Sequence, residues 1–418
     1  MAVSQQTPHA ESVALSNFNV ADPVLFQNDA HWSYFERLRD EAPVHFCPES
    51  QYGPYWSISR YHDIRRVDAD HKRFSSAQGI TLGNISERLD RSPNAEEQKP
   101  PRQQDGGFIS MDPPKHDLQR ATVVGAVAPL NLAKLEDTIR ERAGTILDSL
   151  PDNESFDWVD RVSIELTTQM LATLFDFPFE DRRNLTRWSD AVDSPVGEQR
   201  RTELLDCLEY FTELWNERVK LPPRPDLISM LAHGQATKNM KPFEFLGNIL
   251  LLIVGGNDTT RNSISGGVLA LNQSPQEFDK LRANPKLITS MVPEIIRWQT
   301  PLAHMARVAN EDVELAGQNI KAGERVVMWY VSGNRDERAI PNPNTFQIDR
   351  DKPRQHLSFG FGIHRCMGNR LAEMQLRVLW EEILKRFDHI EVVGEPQRTC
   401  SNIIKGYTHL PVRLHRKK

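Results

Sequence analysis

Apolar and polar residues along the chain divide it into three textures. From about residue 115 to 300, apolar positions recur every three and four residues. This spacing predicts helices over 115–150, 158–176, 180–192, 198–219, 224–233 and 242–273. "SPQE" (274–277) predicts a helix start, with Ser274 as N-cap, Pro275 in the first turn and Glu277 two residues on. "NPKL" (284–287) predicts another, ending near Gln299 because Thr300 precedes Pro301. After 301 the texture changes. β-Branched runs between Gly-containing turns predict short strands. A Pro/Asn-rich meander, a glycine-rich bend, a helix to about Phe387 and one or two hairpins over 388–415 follow. At the other end, "YWSISRYHDIRRV" (55–67) predicts a strand running into a helix, and residues 1–20 a flexible lead. The expected class is mainly α with minor β at both ends.

Residues 78–110 are polar, charged and rich in Pro and Gly. A loop this long is usually functional. It is expected to be a mobile lid over a pocket, or a linker between domains.

Length alone, at 418 residues, favours two or three domains. The net charge of −6 gives no basic excess for a nucleic-acid partner. The four cysteines, Cys47, Cys207, Cys366 and Cys400, are far apart, with no zinc-ribbon spacing. So few thiols in a long chain fit a reducing compartment. The start of the chain lacks a basic segment followed by an apolar run. The most apolar stretch, around Phe243–Val254, is interrupted by Asn248 and ends at "GGND", too short to span a bilayer. A soluble, cytoplasmic protein is expected.

The chemistry concentrates in "HLSFGFGIHRCMGNRLAE" (356–373). Cys366 stands just before a predicted helix, where the dipole and free N–H groups stabilise a thiolate. Taken alone it could be a nucleophile, a metal ligand or a small buried hydrophobe. The run from Phe359 to Gly368 reads F-G-x-G-x-H-x-C-x-G. It is no dinucleotide fingerprint, because Arg365 stands where the third glycine belongs. It resembles the haem-thiolate signature of the cytochromes P-450, whose axial cysteine is that family's established ligand.

Three further stretches share the resemblance. "PEIIRW" places Glu294 and Arg297 three apart on one helix face, and "FQIDR" supplies Arg350. In the family such a triad holds the haem-binding core. "LIVGGNDTTRNS" (252–263) puts two glycines inside an apolar helix, each costing about 1 kcal/mol relative to alanine. A helix accepts that where something approaches its backbone. The family's distal helix carries (A/G)-G-x-(D/E)-T, matched by Gly255, Gly256, Asn257, Asp258 and Thr259.

The resemblance covers roughly 20–415. It implies one triangular helical domain over 21–418 after the lead, with small sheets, a long central distal helix and haem b as cofactor. Cys366 would ligate the iron, with Phe359 and Gly368 in the same loop. Gly255 and Gly256 would make room for dioxygen. Thr259 would hydrogen-bond the activated oxygen and Asp258 would connect it to solvent. His116, Arg120, Arg307 and His364 match propionate-binding positions. The 180–219 helix pair corresponds to the moving lid and 78–110 to the region over the substrate entrance.

The wording around "GGNDTTRN" is most similar to the soluble bacterial branch that hydroxylates terminal carbons of alkanes and fatty acids. Leu251, Val254, Leu302, Ala303 and Ile403 are the expected pocket walls. An apolar pocket would equally suit a terpene or a steroid. No flavin or nicotinamide motif is found, so electrons would come from a [2Fe-2S] ferredoxin and its NAD(P)H-dependent reductase, docking near Arg365 and Lys115. A haem carrier or sensor without turnover is the remaining alternative.

Overall fold

The computed structural model describes residues 8–83, 106–194 and 197–417. The central element is a helix of 32 residues, Pro242–Gln273, about 48 Å long at the α-helical rise. Pro242 opens it at the first turn, where its missing N–H costs nothing. From Thr260 to Leu271 it is buried on every side. Around it pack Glu165–Phe175, Arg183–Asp193, Ile288–Gln299 and Asn369–Arg386. Pro129–Asp148 packs along Asn369–Arg386, and the largest apolar core lies between these helices, with Trp158 and Trp380 inside it.

The strands form separate small sheets. The largest has the spatial order Val44–Cys47, Tyr55–Ile58, Arg325–Met328, Met305–Ala309, Phe74–Ser75. It joins strands from residues 44–75 with strands from residues 305–328. The C-terminal strands Phe387–Val392 and Pro411–Arg416 pair antiparallel, with Ser155–Asp157 on the other side of the latter.

Most of the periodic segments are helices, with adjusted ends. The 115–150 segment is divided by Pro129 into Lys115–Val123 and Pro129–Asp148, joined by a 3₁₀ turn. The first turn of 158–176 is a π-turn, Val159–Ile164. The capping expected at "SPQE" is absent: the Ser274 side chain makes no cap bond. Glu277 instead turns to the meander, accepting from Ile348 N at 2.9 Å and pairing with Lys280. At "NPKL" the Asn284 side chain accepts from Lys286 N and opens a 3₁₀ turn before Ile288–Gln299. That helix stops as expected, with Thr300 in the left-handed region at φ 43°.

The expected flexible lead needs correction from residue 8 onward. Ala10, Phe18 and Val20 are buried, and Arg37 donates to the carbonyls of Ala10 and Val13. The apolar side chains bury against Tyr34 and Phe35, so this stretch is part of the core. Of the expected lid over 78–110, residues 84–105 lie outside the described residues. Its C-terminal end forms a 3₁₀ turn, Phe108–Ser110, with Phe108 N donating to Asn248 Oδ1 of the central helix at 3.1 Å.

Candidate active site

A cavity of about 1480 Å³ opens between the central helix and the cysteine loop. The central helix contributes Leu251, Leu252, Gly255, Gly256, Thr259, Thr260 and Ser263. These positions advance by alternating steps of one and three residues, so they form one helical face. Across from them, Phe359, Gly360, His364, Cys366, Met367 and Gly368 form the opposite wall.

The loop is shaped by its glycines. Gly362 has φ 70°, and a Cβ there would lie 2.4 Å from the carbonyl oxygen of Asp68. Only glycine fits that approach. Cys366 N donates to Phe359 O at 2.8 Å, closing the loop before the helix Asn369–Arg386 begins. The Cys366 thiol is surrounded by protein yet accessible from the cavity. Burial pushes its pKa up; the N–H groups of Gly368 and Asn369 and the charges of Arg120 and Arg365 act against this. Those are the groups that would hold a thiolate once a metal replaces the proton.

Four basic residues expected at a dianionic ligand gather here. Arg120, Arg307 and His364 line the cavity, and the His116 ring lies 4.3 Å from that of His364. His116 Nε2 and His364 Nδ1 are buried without a hydrogen-bond partner. Such orphans are uncommon and costly. Burial holds both imidazoles neutral; with Arg307 next in effect, it takes His364 down to about 2. Two imidazoles, each with one unpartnered ring nitrogen, and two guanidiniums beside a cavity-facing thiol fit an anionic, metal-bearing prosthetic group.

Asp68 was not singled out from the sequence, yet it ties this region together. Its carboxylate accepts from Arg307 Nη2 at 2.8 Å, Tyr330 OH at 2.8 Å and Phe361 N at 2.7 Å. It is buried, which raises its pKa, and Arg307 works in the opposite direction.

On the opposite wall Gly255 is bare to the cavity, and a Cβ there would meet nothing within 4 Å. Gly256 differs: a Cβ would lie 2.6 Å from Leu171, so its absence lets the helix Glu165–Phe175 pack close. Thr259 faces the cavity with its hydroxyl donating to Gly255 O at 2.9 Å. Asp258 does not share that wall. It is buried toward the helix Arg183–Asp193, accepting from Ser189 Oγ at 2.8 Å and pairing with Arg261 at 3.1 Å. Arg261 in turn pairs with Asp190, which is half exposed. From Asp258, ion pairs run through Arg261 to the half-exposed Asp190.

The expected pocket residues divide. Leu251 and Leu302 line the cavity. Val254, Ala303 and Ile403 do not. Val254 lies off the face defined by Leu251 and Gly255. Ala303 follows Leu302 in extended chain, so it points the other way, into the core with Ala306 and Trp329. Ile403 is beside the bridge that pairs Leu302 with Ile404. Sequence reasoning missed Met170, Leu171 and Leu174, on a helix buried on most sides whose sequence does not mark which face meets the cavity.

Glu294, Arg297 and Arg350 form one buried cluster. Arg297 donates to both Glu294 oxygens at 2.7 Å, and Arg350 to the same pair at 2.9 and 3.2 Å. The spare guanidinium nitrogens reach the carbonyls of Asn334, Pro343 and Thr345, locking the meander to the helix Ile288–Gln299.

Fold, cysteine loop and basic end of the cavity together define a haem-thiolate protein. The family model "Cytochrome P450" matches residues 198–404. Linalool 8-monooxygenase of Pseudomonas putida is 35% identical over 410 residues, 95% of this chain and 98% of that protein. Methyl-branched lipid omega-hydroxylase of Mycobacterium bovis is 30% identical over 405 residues, 92% of this chain and 91% of that protein. The structure of CYP153D17 from Sphingomonas sp. PAMC 26605 superposes with TM-score 0.89 at 46% identity, covering 96% of this chain and all of that one. The chain belongs to the cytochrome P450 family of monooxygenases, whose cofactor is haem b. Among the described residues, no helix is long and apolar enough to cross a membrane.

Proposed function

We propose that this cytochrome P450 hydroxylates the terminal carbon of medium-chain alkanes or fatty acids. On this reading Cys366 holds the haem iron as a thiolate. His116, Arg120 and His364 hold the propionates, with Arg307 using the N–H groups that Asp68 and Ala306 leave free. Haem bound there would supply dioxygen activation and C–H oxidation. Thr259 is the hydroxyl placed to exchange a proton in the cavity.

The carrying observation is the cavity wall. Met170, Leu171, Leu174, Leu227, Leu251, Leu252 and Leu302 make it aliphatic. Among the described residues, the cations on it are Arg120 and Arg307, both at the cysteine end. A flexible alkyl chain fits such a wall, and no described cation meets a carboxylate at its far end. A primary C–H bond is stronger than its secondary neighbours, so the terminal position can win only through geometry that excludes the next methylene.

The printed name of the Pseudomonas relative supports a second reading, a terpene substrate. Incubation with a graded series of alkanes and fatty acids, and with linalool, separates the two. The proposal expects primary alcohols from the linear series. Mainly internal alcohols, or turnover of linalool alone, would reject it. For electron supply, Arg365 is exposed, and Lys115 is half exposed although paired with Glu244 at 2.8 Å. Reversing both charges should slow ferredoxin-driven turnover at low salt; an unchanged rate would rule out docking there.

A further inference from the structure

A second pocket, of about 380 Å³, lies behind the substrate-cavity wall and shares no lining residue with that cavity. Three cations line it: Arg335, Arg398 and Lys405. One carboxylate, Asp29, faces them. It is paired with Arg398 at 3.2 Å and is itself partly exposed. Arg335 and Lys405 are buried.

Among the described residues, neither buried cation is in an ion pair. Lys405 Nζ makes one described hydrogen bond, to Gln299 O at 3.1 Å, and lies 5.1 Å from the Trp32 ring. Arg335 stacks on Trp298 at 3.6 Å and Trp32 at 4.5 Å, and its Nη1 donates to Pro343 O. Its Nε is buried without a partner. The nearest buried carboxylate, Glu294, is already saturated by Arg297, Arg350 and Gln347 N. Two buried positive charges that share one partly exposed carboxylate cost more than a missing hydrogen bond.

We propose that this pocket binds a small monovalent anion, a halide or a short carboxylate, between Lys405 and Arg335. Three cations against one carboxylate leave an excess of positive charge that one such anion would reduce. The two indoles bound the space and limit the occupant to a small ion with its waters. Loss of the Lys405 proton would be the other way to relieve the site. Burial, opposed by Asp29 and reinforced by Arg335 and Arg398, brings that ammonium only to about 8, so it remains charged at neutral pH. The site also has a structural consequence. Lys405 N donates to Pro301 O at 2.8 Å, so the anion's main ligand anchors the segment that carries Leu302 into the substrate cavity.

The test uses the haem-loaded protein. Crystals grown in sodium bromide should show an anomalous peak in contact with Lys405 Nζ and the Arg335 guanidinium, absent in Lys405→Met. If that variant does not fold, Arg398→Gln, at the open side of the pocket, should weaken the peak. Ordered water alone at this position in the wild type overturns the proposal. In solution, the wild-type melting temperature should be higher in sodium chloride than in sodium gluconate at equal ionic strength. Equal melting temperatures would also overturn it. Formate displacing the bromide would assign the site to carboxylates as well, and persistence of the peak would assign it to halides; both agree with an anion site.

Discussion

At the scale of the residue, Thr259 and Asp258 are neighbours with different surroundings. Thr259 faces the cavity and Asp258 a buried ion pair with Arg261. Thr259→Ala should slow product formation about 100-fold, as for loss of a positioned proton donor. Oxygen consumption should fall much less, which an oxygen electrode read beside product analysis would show. Asp68→Asn removes the counter-charge of buried Arg307. It should cost on the order of 3 kcal/mol of stability, measured by denaturant unfolding of the haem-loaded protein. The cysteine motif was legible because its chemistry needs fixed residues at fixed spacing along one loop. Asp68 was not, because its partner Arg307 is 239 positions away and nothing local marks that carboxylate.

At the scale of the element, helix phase decides which side chains meet the substrate. Leu251 is on the cavity face of Pro242–Gln273 and Val254 is off it. Leu251→Ala should therefore raise internal relative to terminal hydroxylation roughly 10-fold, the low end of what one aliphatic contact discriminates. Val254→Ala should leave the product ratio unchanged. Gas chromatography of the alcohols checks both. The helix itself was readable from its periodicity. Its phase was not, because residues 249–256 are apolar at every position, so no polar stripe marks which face meets the cavity. Ala303 and Ile403 failed for a related reason: alternation in extended chain turns each second residue away, and the sequence there does not show which parity faces the cavity.

At the scale of the whole molecule, buried imidazoles set acid stability. His304 is fully buried, with Nδ1 bonded to Asn402 O and Nε2 accepting from Leu82 N. Burial lowers it to about 4, and lowers His31 to about 3. As pH falls through 6.5 the unfolded chain takes up these protons while the folded chain does not. Stability is therefore lost between about pH 6.5 and 4, on the order of 2 kcal/mol for each histidine by pH 5. Unfolding midpoints measured across that range should decline accordingly. The helical class and the order of elements followed from periodicity. The joining of strands from residues 44–75 with strands from residues 305–328 into one five-stranded sheet did not, since strands of two to five residues carry little pattern.

The central claim is that Cys366 supplies a thiolate to haem in this cavity. The carbon-monoxide difference spectrum of the reduced protein tests it most directly. The wild type should show the strongly red-shifted Soret band of a thiolate-ligated haem, and Cys366→His should lose that shift while retaining haem. An unshifted band in the wild type, or a red-shifted band that survives in Cys366→His, would contradict the assignment.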